Sequence, residues 1–66
     1  MSMSQRLRTL RTNAGITQLQ LAKLIGGVTF QAVSKWERGE TKPTLDKINR
    51  ISEIFGVTSD YILKGK

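Results

Sequence analysis

The chain has 66 residues, a length at which folding buries only about 60% of the unfolded surface, so a single small domain spanning 1–66 is expected. The absence of Cys and His excludes disulfides and removes the commonest metal ligands. Eleven basic and five acidic residues give a net charge of +6, which favours nucleic acid or an anionic membrane surface as a partner. Because no segment resembles a bilayer span or a signal peptide, we expect a cytoplasmic protein.

The N-terminal third of the chain predicts two helices separated by Gly15, which ends the first of them. One face of the first helix carries apolar residues at helical spacing, namely Met3, Leu7, Leu10 and Ala14. Thr17 opens the second helix, because it forms the pattern of a capping box with Gln20. The core-facing side of the second helix is expected to carry Leu21, Leu24 and Ile25. The pair Gly26-Gly27 ends it.

Three further helices are predicted after the glycine pair. Thr29 is the N-cap of the third helix, which runs to about Arg38. Thr44 caps a fourth helix, which ends at Gly56 and whose core-facing residues are Leu45, Ile48, Ile51 and Phe55. Thr58 starts a short fifth helix. Because no strand-like alternation occurs, we expect an all-α fold, a compact five-helix bundle in which helices two and three form a helix-turn-helix.

The third predicted helix has a polar, basic face opposite its apolar one. At about 100° per residue, Val33 and Trp36 lie together and face the core. The opposite face holds Gln31, Ser34, Lys35 and Arg38, with Phe30 at its N-terminal edge. Gln can bond an adenine edge, Lys or Arg can bond guanine, and an apolar side chain suits a thymine methyl group. We therefore expect contacts to DNA base edges in the major groove from Phe30, Gln31, Ser34 and Lys35.

Short motifs continue from the second helix to the end of the chain: Thr17-Gln18, Leu21-Ala22, Val28-Thr29, Val33-Ser34, Trp36-Glu37-Arg38-Gly39 and Asp60-Tyr61-Ile62-Leu63-Lys64-Gly65. Together they resemble the helix-turn-helix of phage repressors and Cro proteins, the lambda-repressor-like DNA-binding domains. The resemblance implies a five-helix domain that binds operator DNA as a symmetric dimer, with the third helix as the recognition helix. The chain departs from that pattern at Gly26-Gly27, one residue longer than the commonest turn, and at Phe30, where many relatives have a polar base reader.

The resemblance also implies roles for residues around the recognition helix. Gln18 matches a residue that contacts a phosphate and supports that helix, while Arg38 and Lys42 match phosphate contacts after it. Arg11 and Glu37 match an internal salt bridge near the DNA backbone. The expected phosphate contacts are Arg11, Thr17, Gln18, Thr29, Arg38 and Lys42.

The remaining basic residues carry weaker expectations. Arg6 and Arg8 are expected either to add to the general positive charge or to lie at the surface without a specific contact. Solvated charge is expected for Lys47, Arg50, Lys64 and Lys66. Ile62 and Leu63 are either core residues or part of a dimer seam, because the C-terminal segment often supplies that seam in relatives.

The preferred function is a sequence-specific transcriptional repressor, Cro-like or phage-type, that acts as a dimer by occupying its operator. In a chain this short we expect no separate ligand-binding or cleavage domain. We expect near-palindromic double-stranded DNA as the partner, a weak homodimer through the C-terminal segment, and no enzymatic activity, cofactor, metal, small-molecule ligand or membrane partner. Two other functions stay open: the DNA-binding antidote or protein-interaction module of a toxin–antitoxin pair, and a basic module for membrane surfaces.

Overall fold

Each helix of the computed structural model, which describes residues 1–66, begins after a serine or threonine N-cap. The helices are α1 (Met3–Asn13), α2 (Gln18–Ile25), α3 (Phe30–Glu37), α4 (Leu45–Phe55) and α5 (Ser59–Lys64). Their N-caps are Ser2, Thr17, Thr29, Thr44 and Thr58, and each side-chain oxygen accepts a bond from the backbone N–H three residues later. Such a bond satisfies one of the four donors that a helix start leaves free. The predicted all-α five-helix fold is confirmed, and the cap at Ser2 was missed.

The core draws residues from all five helices: Leu7, Leu21, Ala22, Ile25, Val33, Trp36, Ile48, Ile51 and Ile62. Within it α3 packs against α1 and α2, and α4 packs against α2 and α5. Val33 and Trp36 anchor α3, since they are 1% and 7% exposed. The opposite side of α3 therefore remains at the surface. None of the helices is long and apolar enough to cross a membrane.

Three residues predicted to face the core lie at the surface. Leu45 is 63% exposed and Leu24 is 47% exposed, while Ala14 lies beyond the last residue of α1 and is exposed. At about 100° per residue, Leu45 points about 120° away from the buried Ile51, and Leu24 about 100° away from Ile25. A residue can therefore have helical spacing to one core residue and still lie outside the buried side of its helix.

Arg6 is buried at 6% exposure, so the expectation of a surface role for it was wrong. Its Nε donates to the carbonyl of Ile62 and its Nη2 to that of Leu63, both at 2.9 Å, and its Nη1 donates to the carbonyl of Met1. A guanidinium carries enough N–H groups to satisfy several carbonyls at once, and a cation is favoured at a helix C-terminus. Arg6 thus fastens the end of α5 to α1. Arg8 is exposed, as expected.

Candidate nucleic-acid interface

Two glycines form the turn between α2 and α3, and side chains of α4 donate hydrogen bonds to it. Gly26 has φ 81° and ψ 139°, and Gly27 has φ 73°. Lys47 Nζ donates to the Gly26 carbonyl at 3.3 Å, and Arg50 Nη2 donates to the Leu24 carbonyl at 3.1 Å. Cations at these positions satisfy carbonyls that the end of α2 leaves free. Arg50 is exposed, as expected, and Lys47 is half-buried, but the expectation of solvated charge missed the bonds of both residues to the turn.

Substitution of Gly26 by Ala is expected to lower the free energy of unfolding by about 3 kcal/mol, because its backbone conformation is close to one used almost only by glycine. Gly56→Ala is the matched control. Gly56 has φ 67° and ψ 31°, a left-handed conformation that costs another residue only about 1–2 kcal/mol. An added Cβ meets no atom within 4 Å at either site, so backbone conformation alone decides the difference. Urea unfolding of both variants measures it, and equal losses would contradict this account of the turn.

The structure places the predicted base-reading residues on one outward surface of α3. Gln31 and Lys35 are exposed, Ser34 is half-buried, and Phe30 keeps 45% of its surface exposed. The helical wheel is confirmed for this face, since Val33 and Trp36 occupy the other. The exposed ring of Phe30 remains free for an apolar contact such as a thymine methyl group.

A hydrogen-bonded network fixes α3 to α1 and α2. Arg11 donates to the two carboxylate oxygens of Glu37, from Nε at 2.7 Å and from Nη2 at 3.0 Å, and Nη1 donates to the carbonyl of Ile16 at 2.9 Å. Gln18 Nε2 donates to the same carboxylate at 3.2 Å. The Glu37 side chain is 4% exposed and that of Arg11 is 13% exposed. The expected salt bridge is confirmed, and Gln18 is bonded to α3 through Glu37.

This pairing also acts on the protonation of Arg11. The hydrogen bond to the Glu37 carboxylate raises the pKa of the Arg11 guanidinium above its ordinary value, against an opposing effect of burial. The paired form of Arg11 is therefore its charged form. Two of its five N–H groups are not used within the chain.

The N-termini of α2 and α3 present free donors for an anion. The N–H groups of Gln20 and Leu21 bond to Thr17, which leaves those of Gln18 and Leu19 for an outside acceptor. The hydroxyls of Thr17 and Thr29 accept capping bonds, and their own protons stay free to donate. Donors at the positive end of a helix dipole form a ready site for a phosphate group.

Arg38 and Lys42, the cations expected to contact phosphates after α3, differ in their surroundings. Lys42 is exposed and belongs to no ion pair. Arg38 donates from Nε to Glu40 at 2.5 Å and from Nη1 to the Ser34 hydroxyl. The hydrogen bond from Arg38, aided by the nearby charges of Arg38 and Lys35, lowers the pKa of the Glu40 carboxyl below its ordinary value. Sequence reasoning missed Glu40, although its spacing of two residues from Arg38 across Gly39 was a visible signal.

With this geometry established, comparison with known proteins decides the family. The helix-turn-helix family model matches residues 7–62. The chain belongs to the helix-turn-helix family. It is 38% identical over 61 residues to the SPbeta prophage-derived transcriptional regulator YonR of Bacillus subtilis, covering 92% of this chain and 56% of YonR. It is 39% identical over 66 residues to the transcriptional activator BcrR of Enterococcus faecalis, covering 100% of this chain and 32% of BcrR. The chain thus spans about half or a third of the length of these relatives.

A solved structure confirms the type of helix-turn-helix domain. The crystal structure of the c2 repressor of Salmonella phage P22 in complex with synthetic operator 9T matches with a TM-score of 0.93 and 36% identity. The match covers 100% of this chain and 98% of that one. The predicted resemblance to phage repressors is confirmed, and the turn at Gly26-Gly27 is accommodated within the same fold.

Proposed function

We propose that this helix-turn-helix chain is a sequence-specific regulator of transcription that reads operator DNA with the outward face of α3. One observation carries the proposal. Val33 and Trp36 bury one side of α3, while hydrogen-bonding and cationic side chains occupy the other. The bond from Gln18 to Glu37 brings the free donors at the start of α2 to the end of α3. Groups suited to base edges therefore lie on α3, and groups suited to phosphates lie at the start of the helix that is bonded to it.

In this mode of binding, α3 lies in the major groove and its side chains contact base edges. Gln31 bonds an adenine edge, Lys35 bonds guanine O6 and N7, Ser34 bonds either base, and Phe30 contacts a thymine methyl group. Support comes from the exposure of Phe30, Gln31 and Lys35 on α3, with Ser34 half-buried on the same face. The first turn of a recognition helix reaches deepest into the groove, which gives Phe30 and Gln31 the closest approach.

The phosphate contacts hold α3 in register with the duplex. The N-terminus of α2, with Thr17 and Gln18, receives one phosphate, and the hydroxyl of Thr29 donates to another. Arg11 reaches the backbone with its two unused N–H groups. Lys42 and Arg38 bind phosphates beyond the end of α3. None of these contacts distinguishes bases, so they set affinity and orientation rather than sequence preference.

We further propose a dimer that represses by occupying its operator, as a Cro-like or phage-type repressor does. Two recognition helices would enter successive major grooves about 34 Å apart on a near-palindromic site. Ile62 is fully buried in the core, whereas Leu63 of α5 is 38% exposed. Of the two residues considered for a C-terminal dimer seam, Leu63 is therefore the one available to a partner. The P22 c2 repressor, which shares the fold, is a repressor in complex with a synthetic operator.

Selection of bound sequences from a random pool of duplex DNA tests the proposal. We expect an enriched, near-palindromic motif whose half-sites lie about one helical turn apart, since that spacing matches two recognition helices on one face of DNA. The selection is run at two salt concentrations, because phosphate contacts make affinity fall with added salt. Binding without any enriched motif would contradict sequence-specific regulation, and no binding at either salt would contradict a DNA-binding function.

A further inference from the structure

Glu40 places a carboxylate on the surface proposed to meet DNA. Residues 1–45 contain two acids, Glu37 and Glu40. The side chain of Glu37 is 4% exposed and bonded to Arg11, whereas that of Glu40 is 52% exposed. Glu40 is thus the one acid of this stretch whose charge reaches solvent. Its neighbours, Arg38 and Lys35, are cations proposed to contact DNA.

The contacts of Arg38 show what this carboxylate does in the free protein. Arg38 uses Nε for Glu40 and Nη1 for the hydroxyl of Ser34, so two partners fix the plane of its guanidinium. Its Nη2 is bonded to neither of them. An arginine held in this way can present Nη2 to a phosphate in a set direction while Ser34 stays oriented on the recognition face. The pair also cancels one positive charge on that face.

These two effects act differently on specific and non-specific DNA. Non-specific binding comes almost wholly from phosphate neutralisation, so a cancelled charge weakens it directly. A specific complex also depends on base contacts that require α3 and its side chains to be correctly placed. In the specific complex, the correct placement of Arg38 and Ser34 compensates for the affinity that is lost when the charge of Arg38 is cancelled.

We propose that Glu40 is a positioning residue that raises the preference for operator over non-specific DNA. Its charge cancels that of Arg38 and so weakens the attraction of Arg38 to the phosphates of any sequence. Its hydrogen bond also fixes Arg38 and Ser34 in the positions that the specific complex requires. This inference rests on the proposed function. Glu40 contacts neither bases nor phosphates itself. It acts through Arg38.

The test compares Glu40→Gln with Glu53→Gln. Both changes remove one negative charge. Glu53 lies on α4, outside the proposed DNA contacts. Its carboxylate is 3.9 Å from Arg50, and its side chain is 70% exposed. Affinities for the selected site and for a random duplex of equal length are measured from 50 to 200 mM salt. Circular dichroism checks that both variants are folded.

Glu40→Gln is expected to bind random duplex more tightly and with a salt slope steeper by about 0.9, the effect of one added phosphate contact. Its affinity for the selected site should change much less, so the ratio of specific to non-specific affinity falls. Glu53→Gln should leave that ratio unchanged. An unchanged ratio and slope for Glu40→Gln, in a protein that does prefer its selected site, would overturn this inference alone. If the unmodified chain has no preferred site, the proposed function fails and this inference fails with it.

Discussion

Replacement of Arg11 by Met is expected to lower the free energy of unfolding by about 3 kcal/mol, the lower end of the cost of breaking a buried ion pair. The methionine fills similar space but leaves the carboxylate of Glu37, 4% exposed, with only the amide of Gln18 as a partner. A domain of 66 residues typically has about 3–10 kcal/mol of stability. The variant should therefore be partly unfolded at moderate temperature, which thermal and urea unfolding would measure.

Two controls separate the buried charge from other effects of this change. Arg38→Met breaks an ion pair that is made by Nε alone and whose side chains are more than half exposed, and it should leave stability nearly unchanged. The double variant Arg11→Met, Glu37→Met removes both charges and should be more stable than Arg11→Met alone, because no unpaired buried charge remains. If Arg11→Met is no more destabilising than Arg38→Met, the network is not what holds α3 in place.

Replacement of Gln31 by Ala is expected to cost about 1–3 kcal/mol of binding free energy on the selected site, with the loss confined to one base position in each half-site. Gln31 is exposed in the first turn of α3, where its amide can both donate to and accept from a base. Alanine keeps the helix but removes those bonds. The measurement is the affinity for the selected site and for each of its single-base variants, at one salt concentration.

Lys42→Ala is the matched control for this prediction. Lys42 is exposed and unpaired in the loop after α3, and its proposed partner is a phosphate. Its loss should weaken binding to all sequences alike and reduce the salt slope by about 1. A Gln31→Ala variant that loses affinity equally on every base variant would show that Gln31 acts as a general contact and not as a base reader.

The helices and the recognition face followed from the sequence because their signals are local. A threonine before a helix satisfies a free N–H within three residues, so the caps at Thr17, Thr29, Thr44 and Thr58 could be read directly. Val33 and Trp36 defined the buried side of α3, and the exposed polar side followed from the helical period. Leu45 shows the limit of that reasoning. A leucine at the first position of a helix fits the apolar spacing even when packing leaves it outside.

The roles of several charged residues could not be predicted, because they depend on contacts between distant parts of the chain. Arg6 bonds to carbonyls 56 and 57 residues away, and Arg50 to one 26 residues away. No local pattern distinguishes such residues from solvated charge. The salt bridge of Arg11 with Glu37 was expected only through the family resemblance, and its burial became known only from the packing of α1, α2 and α3.

We propose above all that the outward face of α3 and the free donors at the start of α2 meet DNA. Titration of isotope-labelled protein with the selected duplex, followed by amide chemical shifts in NMR spectra, tests it most directly. We expect the largest changes at Thr17 and Gln18 and across residues 29–42, with smaller changes near Leu63 where the dimer would form. Unmoved resonances across α3, with the large changes on α4 or the N-terminal part of α1, would contradict the account.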